Sequence, residues 1–126
     1  MTSWQSKWAE HKYWVMAHSQ QHYNKIRELF KYNQWTPDKA TQFEQLLQEA
    51  AQKEPTLQTL TTAYQHVWGY FKKICTAEEK AAYLNKLASL DPEHDELGPF
   101  LKTMTLNYQV SYLLKSKLIR ELDCPH

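Results

Sequence analysis

Apolar residues recur at three- and four-residue steps along most of the chain, which is the spacing of one face of an α-helix. The first such stripe runs from Trp4 through Val15 to Ile26. Three Val, three Ile and two Gly in 126 residues disfavour a sheet, because strands favour β-branched residues and their turns favour glycine. The pattern therefore predicts an all-α fold, and the length fits a single domain over residues 1–126.

Helix-start signals divide the chain into about five segments. Thr36-Pro37-Asp38 supplies an N-cap, a proline at the first helical position and an acid in the first turn. Thr56 caps a central helix reaching Ile74, and Thr76-Ala77-Glu78-Glu79 is a capping box. Residues 3–33 form one long helix or two abutting ones, and a last helix runs from Gly98-Pro99 to near Asp123. We expect a bundle of about five helices with the first, central and last in the core.

One glycine lies inside the predicted central helix. Gly69 destabilises a helix interior by up to about 1 kcal/mol relative to alanine, so a close contact should compensate. Another helix or a ligand backbone over Gly69 would provide that contact, and helix packing is the favoured explanation.

Three blocks of the sequence occur in the order found in one known family. The first is His11-Lys12-Tyr13-Trp14-Val15-Met16-Ala17-His18-Ser19, followed by Tyr23. The second is Gln65-His66-Val67-Trp68-Gly69-Tyr70-Phe71-Lys72-Lys73 with Thr76-Ala77-Glu78-Glu79-Lys80, and the third is Tyr112-Leu113-Leu114-Lys115. Together they resemble the YbgA-like domain, a bacterial family of unknown function.

The resemblance implies a role beside RNA chemistry. Domains of this family occur alone or fused to an iron–sulfur desulfidase-like domain that acts on thiolated uracil, including 4-thiouridine in transfer RNA. This chain has only Cys75 and Cys124, too few for a cluster that takes about three or four cysteines, so we expect no cofactor. The resemblance implies a non-catalytic, RNA-binding component that assists a separate desulfidase.

Basic residues concentrate in the segments that carry the family blocks. Residues 1–33 have a net charge of +3, residues 56–75 of +2 and residues 97–120 of +4, although the whole chain is only +1. On a shared face these residues would attract RNA phosphates, whereas on separate faces they would only be solvated. The candidate phosphate-binding residues are Lys12, Lys25, Lys72, Lys73, Lys115, Lys117 and Arg120.

Two aromatic residues are candidates for stacking on RNA bases. Tyr13 and Trp14 lie beside Lys12 and off the stripe of Trp4, Trp8 and Val15, so we expect one of them to be exposed. Core packing is the alternative, because aromatic residues at helical spacing usually pack inside.

Histidines suggest a polar pocket. The residues proposed to line it are His11, His18, Ser19, His66 and Tyr70. His18 and His22 stand four apart, as metal ligands on one helical face do, but hydrogen-bonded histidines need fewer assumptions, so we expect no metal. Ser19 and His18 are not a nucleophile and base, since neighbours on a helix point about 100° apart.

Location and partners follow from what the sequence contains. No apolar run suits a signal peptide or a membrane span, so we expect a cytoplasmic protein with reduced cysteines. RNA and a separate desulfidase are the expected partners, whereas membrane and DNA are not. Two alternatives are a protein–protein interaction module and a small enzyme with a histidine-lined pocket.

Overall fold

The computed structural model describes residues 3–31 and 34–122. Its helices are α1 (Trp4–His18), α2 (Gln20–Leu29), α3 (Pro37–Ala51), α4 (Leu57–Trp68), α5 (Ala77–Ala88), α6 (Leu97–Tyr108), α7 (Ser111–Leu114) and α8 (Lys117–Arg120). These described residues contain no β-strand, which confirms the all-α class. The predicted number of helices is wrong: the described residues form eight, of which α7 and α8 are single turns.

Side-chain caps set the starts of three helices where the sequence predicts them. Thr36 caps α3 and Thr56 caps α4, each hydroxyl accepting a hydrogen bond from the backbone N–H three residues on. At α5 the capping box is complete, because the Thr76 hydroxyl accepts from the Glu79 N–H at 3.1 Å and the Glu79 carboxylate accepts from the Thr76 N–H at 2.8 Å. Local chemistry alone therefore fixes these three starts.

Two predicted segments are interrupted. Ser19 is extended (φ −161°, ψ 114°), ends α1 and caps α2 by accepting a hydrogen bond from the His22 N–H, so the first segment is two abutting helices. Gln109 is left-handed (φ 52°) and ends α6, so a continuous last helix is wrong. The predicted ends near Asn33 and Asp123 lie outside the described residues.

The end of α4 also corrects the sequence prediction. This helix stops at Trp68 instead of Ile74, and Gly69 is its C-cap with an ordinary φ of −53°. A Cβ built on Gly69 would meet within 4 Å only carbonyl oxygens of its own helix, the nearer being that of His66 at 3.1 Å. The close approach expected over Gly69 is therefore absent. None is needed, since a glycine at the end of a helix loses little of the stability that a glycine in a helix interior would lose.

The central helix of the bundle is α1. It packs against α2, α3, α4 and α8, and its five consecutive residues 13–17 are buried. A helix that is contacted on several sides has no single solvent-facing side, so its apolar and polar residues are not separated onto two opposite faces. Around it, α4 and α6 pack on each other and bury Val67, Phe71 and Leu101.

A close approach does occur at the other glycine, Gly98. A Cβ built there would lie 2.6 Å from Tyr64 Oη, 2.7 Å from Asp95 Oδ2 and 2.7 Å from Leu122 Cδ2. The Asp95 carboxylate accepts hydrogen bonds from the Tyr64 hydroxyl and, at 2.8 Å, from the Gly98 N–H. Burial and this carboxylate raise the pKa of Tyr64 well above its usual range. Gly98 thus lets α4 meet the start of α6.

Candidate nucleic-acid interface

Three tyrosines from distant parts of the chain meet on one side of α1. Tyr13 comes from α1, Tyr70 from the turn after α4 and Tyr112 from α7. The Tyr70 and Tyr112 rings stack with centroids 5.8 Å apart and 16° between their planes. Tyr13 meets both rings edge-on at 6.3 Å, and its hydroxyl lies 3.1 Å from that of Tyr70. We call these three residues the tyrosine cluster.

The members of the tyrosine cluster differ in exposure. Tyr13 is 6 % exposed, whereas Tyr70 and Tyr112 are 36 % and 37 % exposed. Burial, followed by the neighbouring tyrosines, raises the pKa of Tyr112, so its hydroxyl is neutral at physiological pH. Tyr13 thus lies buried beneath a pair of accessible, stacked rings.

Four of the predicted cations come from the elements that carry the tyrosine cluster or directly follow them in the chain. The Lys12 ammonium lies 5.9 Å from the centre of the Tyr13 ring. Lys72 and Lys73 follow Tyr70 in the same exposed turn, and Lys115 lines a pocket together with Tyr112. Lys12 and Lys115 thus lie beside members of the tyrosine cluster, and Lys72 and Lys73 belong to the exposed turn that carries Tyr70.

The other three predicted cations lie elsewhere. The Lys117 ammonium stacks over the Trp14 ring at 4.4 Å and lies 3.8 Å from the Glu121 carboxylate. Lys25 lines a shallow groove between α2 and α3, and Arg120 is exposed at the end of α8. The structure does not bring these residues into contact with the tyrosine cluster.

The predicted exposure of Tyr13 or Trp14 is wrong. Trp14 is only 8 % exposed, and Tyr13 is buried beneath the other tyrosines. The stripe of Trp4, Trp8 and Val15 marks one buried face of α1, but α4 and α8 cover further faces of the same helix. The accessible rings are instead those of Tyr70 and Tyr112, and Tyr112 was not among the predicted site residues.

The five residues predicted to line one polar pocket fall into three sets. His66 and Tyr70 contact Tyr13, with the His66 ring 6.4 Å from it. His11 and His18 flank Trp14 on another face, at 6.3 Å and 4.4 Å between ring centroids. Ser19 forms the third set with His22. Among residues 3–31 and 34–122, no hydrogen bond or ring contact joins one set to another.

One ring nitrogen of each of His11, His18 and His66, namely Nδ1, already has a partner within the fold. His11 Nδ1 and His66 Nδ1 are each 2.8 Å from the carbonyl oxygen four residues earlier, and His18 Nδ1 is 2.7 Å from the Lys53 carbonyl. Because α1 ends at His18, His18 and His22 do not share a helical face as the sequence suggested. Within the described part of the chain, no three metal-ligating side chains come together.

A buried serine–histidine pair joins α2 to α3. Ser19 Oγ lies 2.7 Å from His22 Nδ1, and His22 Nε2 lies 3.3 Å from the Glu49 carboxylate. Ser19 Oγ also accepts a hydrogen bond from the His22 N–H, so one hydroxyl contacts both the backbone and the ring of His22. The arrangement caps a helix and satisfies a buried imidazole.

An acidic groove of about 500 Å³ lies on the Trp14 side. Its apolar residues include Trp14, Leu60 and Leu118, and its titratable residues are His18, Glu54, Tyr64, Glu93, Asp95 and Glu121. The division of charge along the sequence thus reappears in part on the surface, with lysines at the tyrosine cluster and carboxylates at this groove.

These features define an all-helical domain with a tyrosine cluster on one side of α1. The chain belongs to the family described as "Protein of unknown function (DUF1722)", whose model matches residues 12–121. This is the YbgA-like family, so the family prediction is confirmed. No curated protein and no solved structure matches the chain significantly. None of the described helices is long and apolar enough to cross a membrane.

Proposed function

We propose that this domain binds RNA, in particular transfer RNA, through the tyrosine cluster and its lysines, and that it does so without catalysing a reaction. The observation that carries the proposal is the exposed Tyr70–Tyr112 stack, because all three family blocks supply residues to this place. A stacked aromatic pair beside basic residues is a common platform for nucleic-acid bases.

Stacking supplies the first part of the binding energy. Each base that stacks on an aromatic side chain contributes about 1–3 kcal/mol. The Tyr70 and Tyr112 rings need little ordering on binding, since Tyr13 contacts both of them. An RNA base therefore meets rings that are already oriented.

Charge supplies the second part. Lys72, Lys73 and Lys115 are exposed and form no salt bridge within the described residues. Phosphates that bind such lysines release condensed counterions, so the affinity falls linearly with salt on a logarithmic scale. Binding through this surface is accordingly strongest at low salt.

The family resemblance suggests which RNA reaction the domain serves. In relatives where this domain is fused to a thiouracil desulfidase-like domain, the helical part would hold the RNA while the other part carries the chemistry. A separate domain of this family would supply binding to a separate desulfidase, with 4-thiouridine in transfer RNA as the shared target.

The decisive experiment is a titration of the purified domain with transfer RNA, with and without 4-thiouridine, at two salt concentrations. We expect salt-dependent binding that Lys72→Glu/Lys73→Glu abolishes. The matched control is Lys39→Glu/Lys53→Glu, which changes the charge equally on and just after α3, the helix that packs on α1 and α2.

Each outcome has a distinct meaning. Loss of binding in both double variants would leave only a dependence on net charge and would contradict a specific role for the tyrosine cluster. Absence of wild-type binding even at low salt would overturn RNA binding and favour a protein-interaction module, which light scattering tests through a stable dimer or complex. Equal affinity for transfer RNA with and without 4-thiouridine would contradict only the proposed link to 4-thiouridine and would leave RNA binding standing.

A further inference from the structure

A pocket of about 320 Å³ lies between α1 and α7, next to the tyrosine cluster. It is lined by Ser6, Ala9, Glu10, Ser111, Tyr112 and Lys115, and we call it the Glu10 pocket. Tyr112 belongs to both features, so the ring that stacks on Tyr70 also forms a wall of the pocket. A nucleotide bound at the tyrosine cluster therefore has a cavity beside it.

The two charged groups of the Glu10 pocket are unused within the described fold. Neither Glu10 nor Lys115 has a hydrogen bond, ion pair or ring contact among residues 3–31 and 34–122, and the two do not pair with each other. A partly buried carboxylate without a partner is costly, and a ligand that donates hydrogen bonds to it offsets that cost. The pocket thus offers an acceptor, a cation and an aromatic wall.

These three groups match the face of a base, the hydrogen-bonding edge of that base and a phosphate. The Tyr112 ring suits the face of a base, and the Lys115 ammonium suits a phosphate. The Glu10 carboxylate accepts hydrogen bonds and donates none, so it selects for N–H groups on the edge of the base. A base inside a duplex uses that edge for pairing, which leaves an unpaired base as the occupant.

Among the four bases, guanine satisfies a carboxylate best. Its pairing edge presents two adjacent N–H donors, from N1 and the exocyclic N2, which match the two oxygens of Glu10. Adenine and cytosine offer an amino group beside a ring acceptor that faces a carboxylate oxygen unfavourably, and uracil offers a single N–H between two carbonyls. Two parallel hydrogen bonds to a carboxylate are stronger and more selective than one.

We infer that the Glu10 pocket binds one unpaired guanine nucleotide of the RNA, with the base against Tyr112, its N–H edge on Glu10 and its phosphate at Lys115. This inference rests on the proposed RNA-binding function and adds base selectivity to it. Ser6 and Ser111 place further hydroxyl groups at the same pocket.

The test uses short unstructured ribo-oligonucleotides that differ only in one central base, titrated at low salt. We expect the guanine oligonucleotide to bind at least about fivefold more tightly than the adenine, cytosine and uracil ones, the lower end of the selectivity of a bidentate contact to a base. Glu10→Gln should reduce this ratio towards one, whereas Glu54→Gln makes the same charge change outside the pocket and should preserve it.

Two further variants separate recognition from folding. Tyr112→Phe keeps the ring and should keep the preference for the guanine oligonucleotide over the other three. Tyr112→Leu removes the ring and should weaken the binding of all four oligonucleotides. Thermal unfolding monitors the fold of each variant, and the ratio between bases is insensitive to a general change in charge or in folded fraction. Wild-type binding without a guanine preference, or an unchanged preference in Glu10→Gln, overturns this inference while leaving RNA binding intact. Failure of every oligonucleotide and of transfer RNA to bind overturns the proposed function itself.

Discussion

Replacing Gly98 by alanine should destabilise the domain, although alanine is the better helix former. The substitution at the first turn of α6 gains at most about 1 kcal/mol of helix propensity. Against this, the new methyl carbon would lie 2.6–2.7 Å from Tyr64, Asp95 and Leu122, closer than any real contact of this kind. Overpacking costs about 1–3 kcal/mol. Displacement of the Tyr64 hydroxyl from the Asp95 carboxylate costs about 1.5–3 kcal/mol more.

The two unfavourable effects together exceed the gain in helix propensity, so Gly98→Ala should lower the free energy of unfolding by about 1.5 kcal/mol or more. Urea unfolding followed by circular dichroism measures this value. Gly69→Ala is the matched control, since Gly69 is exposed with an ordinary helical φ, and its effect should stay within about 1 kcal/mol.

A double variant identifies the cause. Tyr64→Phe removes the hydroxyl oxygen that the new methyl group would meet at 2.6 Å, so adding Gly98→Ala to Tyr64→Phe should cost less than adding it to the wild type. If Gly98→Ala proved as stable as the wild type, or Gly69→Ala the more damaging of the two, the contact argument at Gly98 would be refuted.

Three further predictions concern helix starts and pH. Thr76→Ala should cost about 1 kcal/mol in urea unfolding, because it removes the α5 cap. Ser19→Ala should cost more than Thr76→Ala in the same assay, since it removes a cap and also leaves buried His22 Nδ1 without its hydrogen-bond partner; an equal or smaller loss would contradict that role. Hydrogen bonds from the Tyr108 hydroxyl and the Thr76 backbone hold the pKa of Glu79 below its ordinary value of 4.5, so the stability Glu79 contributes is complete above that pH and is lost as the pH falls through the lower folded-state pKa. Thermal melts between pH 6 and pH 3 should accordingly show a shallower decline in Glu79→Gln than in the wild type, and parallel curves would count against the linkage.

The parts of the fold predicted correctly from sequence are those that neighbouring residues determine. The caps at Thr36, Thr56 and Thr76 each need only a hydroxyl and a backbone N–H three residues on, so the pattern is visible in the chain itself. The break at Gln109 carries no such mark, because glutamine is not a residue that usually adopts the left-handed conformation. Its conformation is visible only in the folded chain.

The sequence indicated which types of residue the candidate site contains, but not which individual residues come together in it. The basic residues and the family blocks pointed to the segments that carry the tyrosine cluster, yet Tyr112 lies about a hundred positions from Tyr13 and no local spacing connects them. The exposure of Tyr13 was predicted wrongly for a related reason. Helical periodicity identifies one buried face, whereas α1 is covered by other helices on several sides. A tyrosine in each of the three family blocks was the one available signal.

The central position of α1 also affects how the domain folds during its synthesis on the ribosome. Helix α1 is made first, but it packs against α4 and α8, which lie about 50 and 110 residues later in the chain. Lys117, which covers Trp14, is among the last of the described residues to be synthesised. A nascent chain therefore keeps the apolar sides of α1 exposed until nearly all of the domain has left the exit tunnel, and this helix is the segment that a chaperone would meet during synthesis.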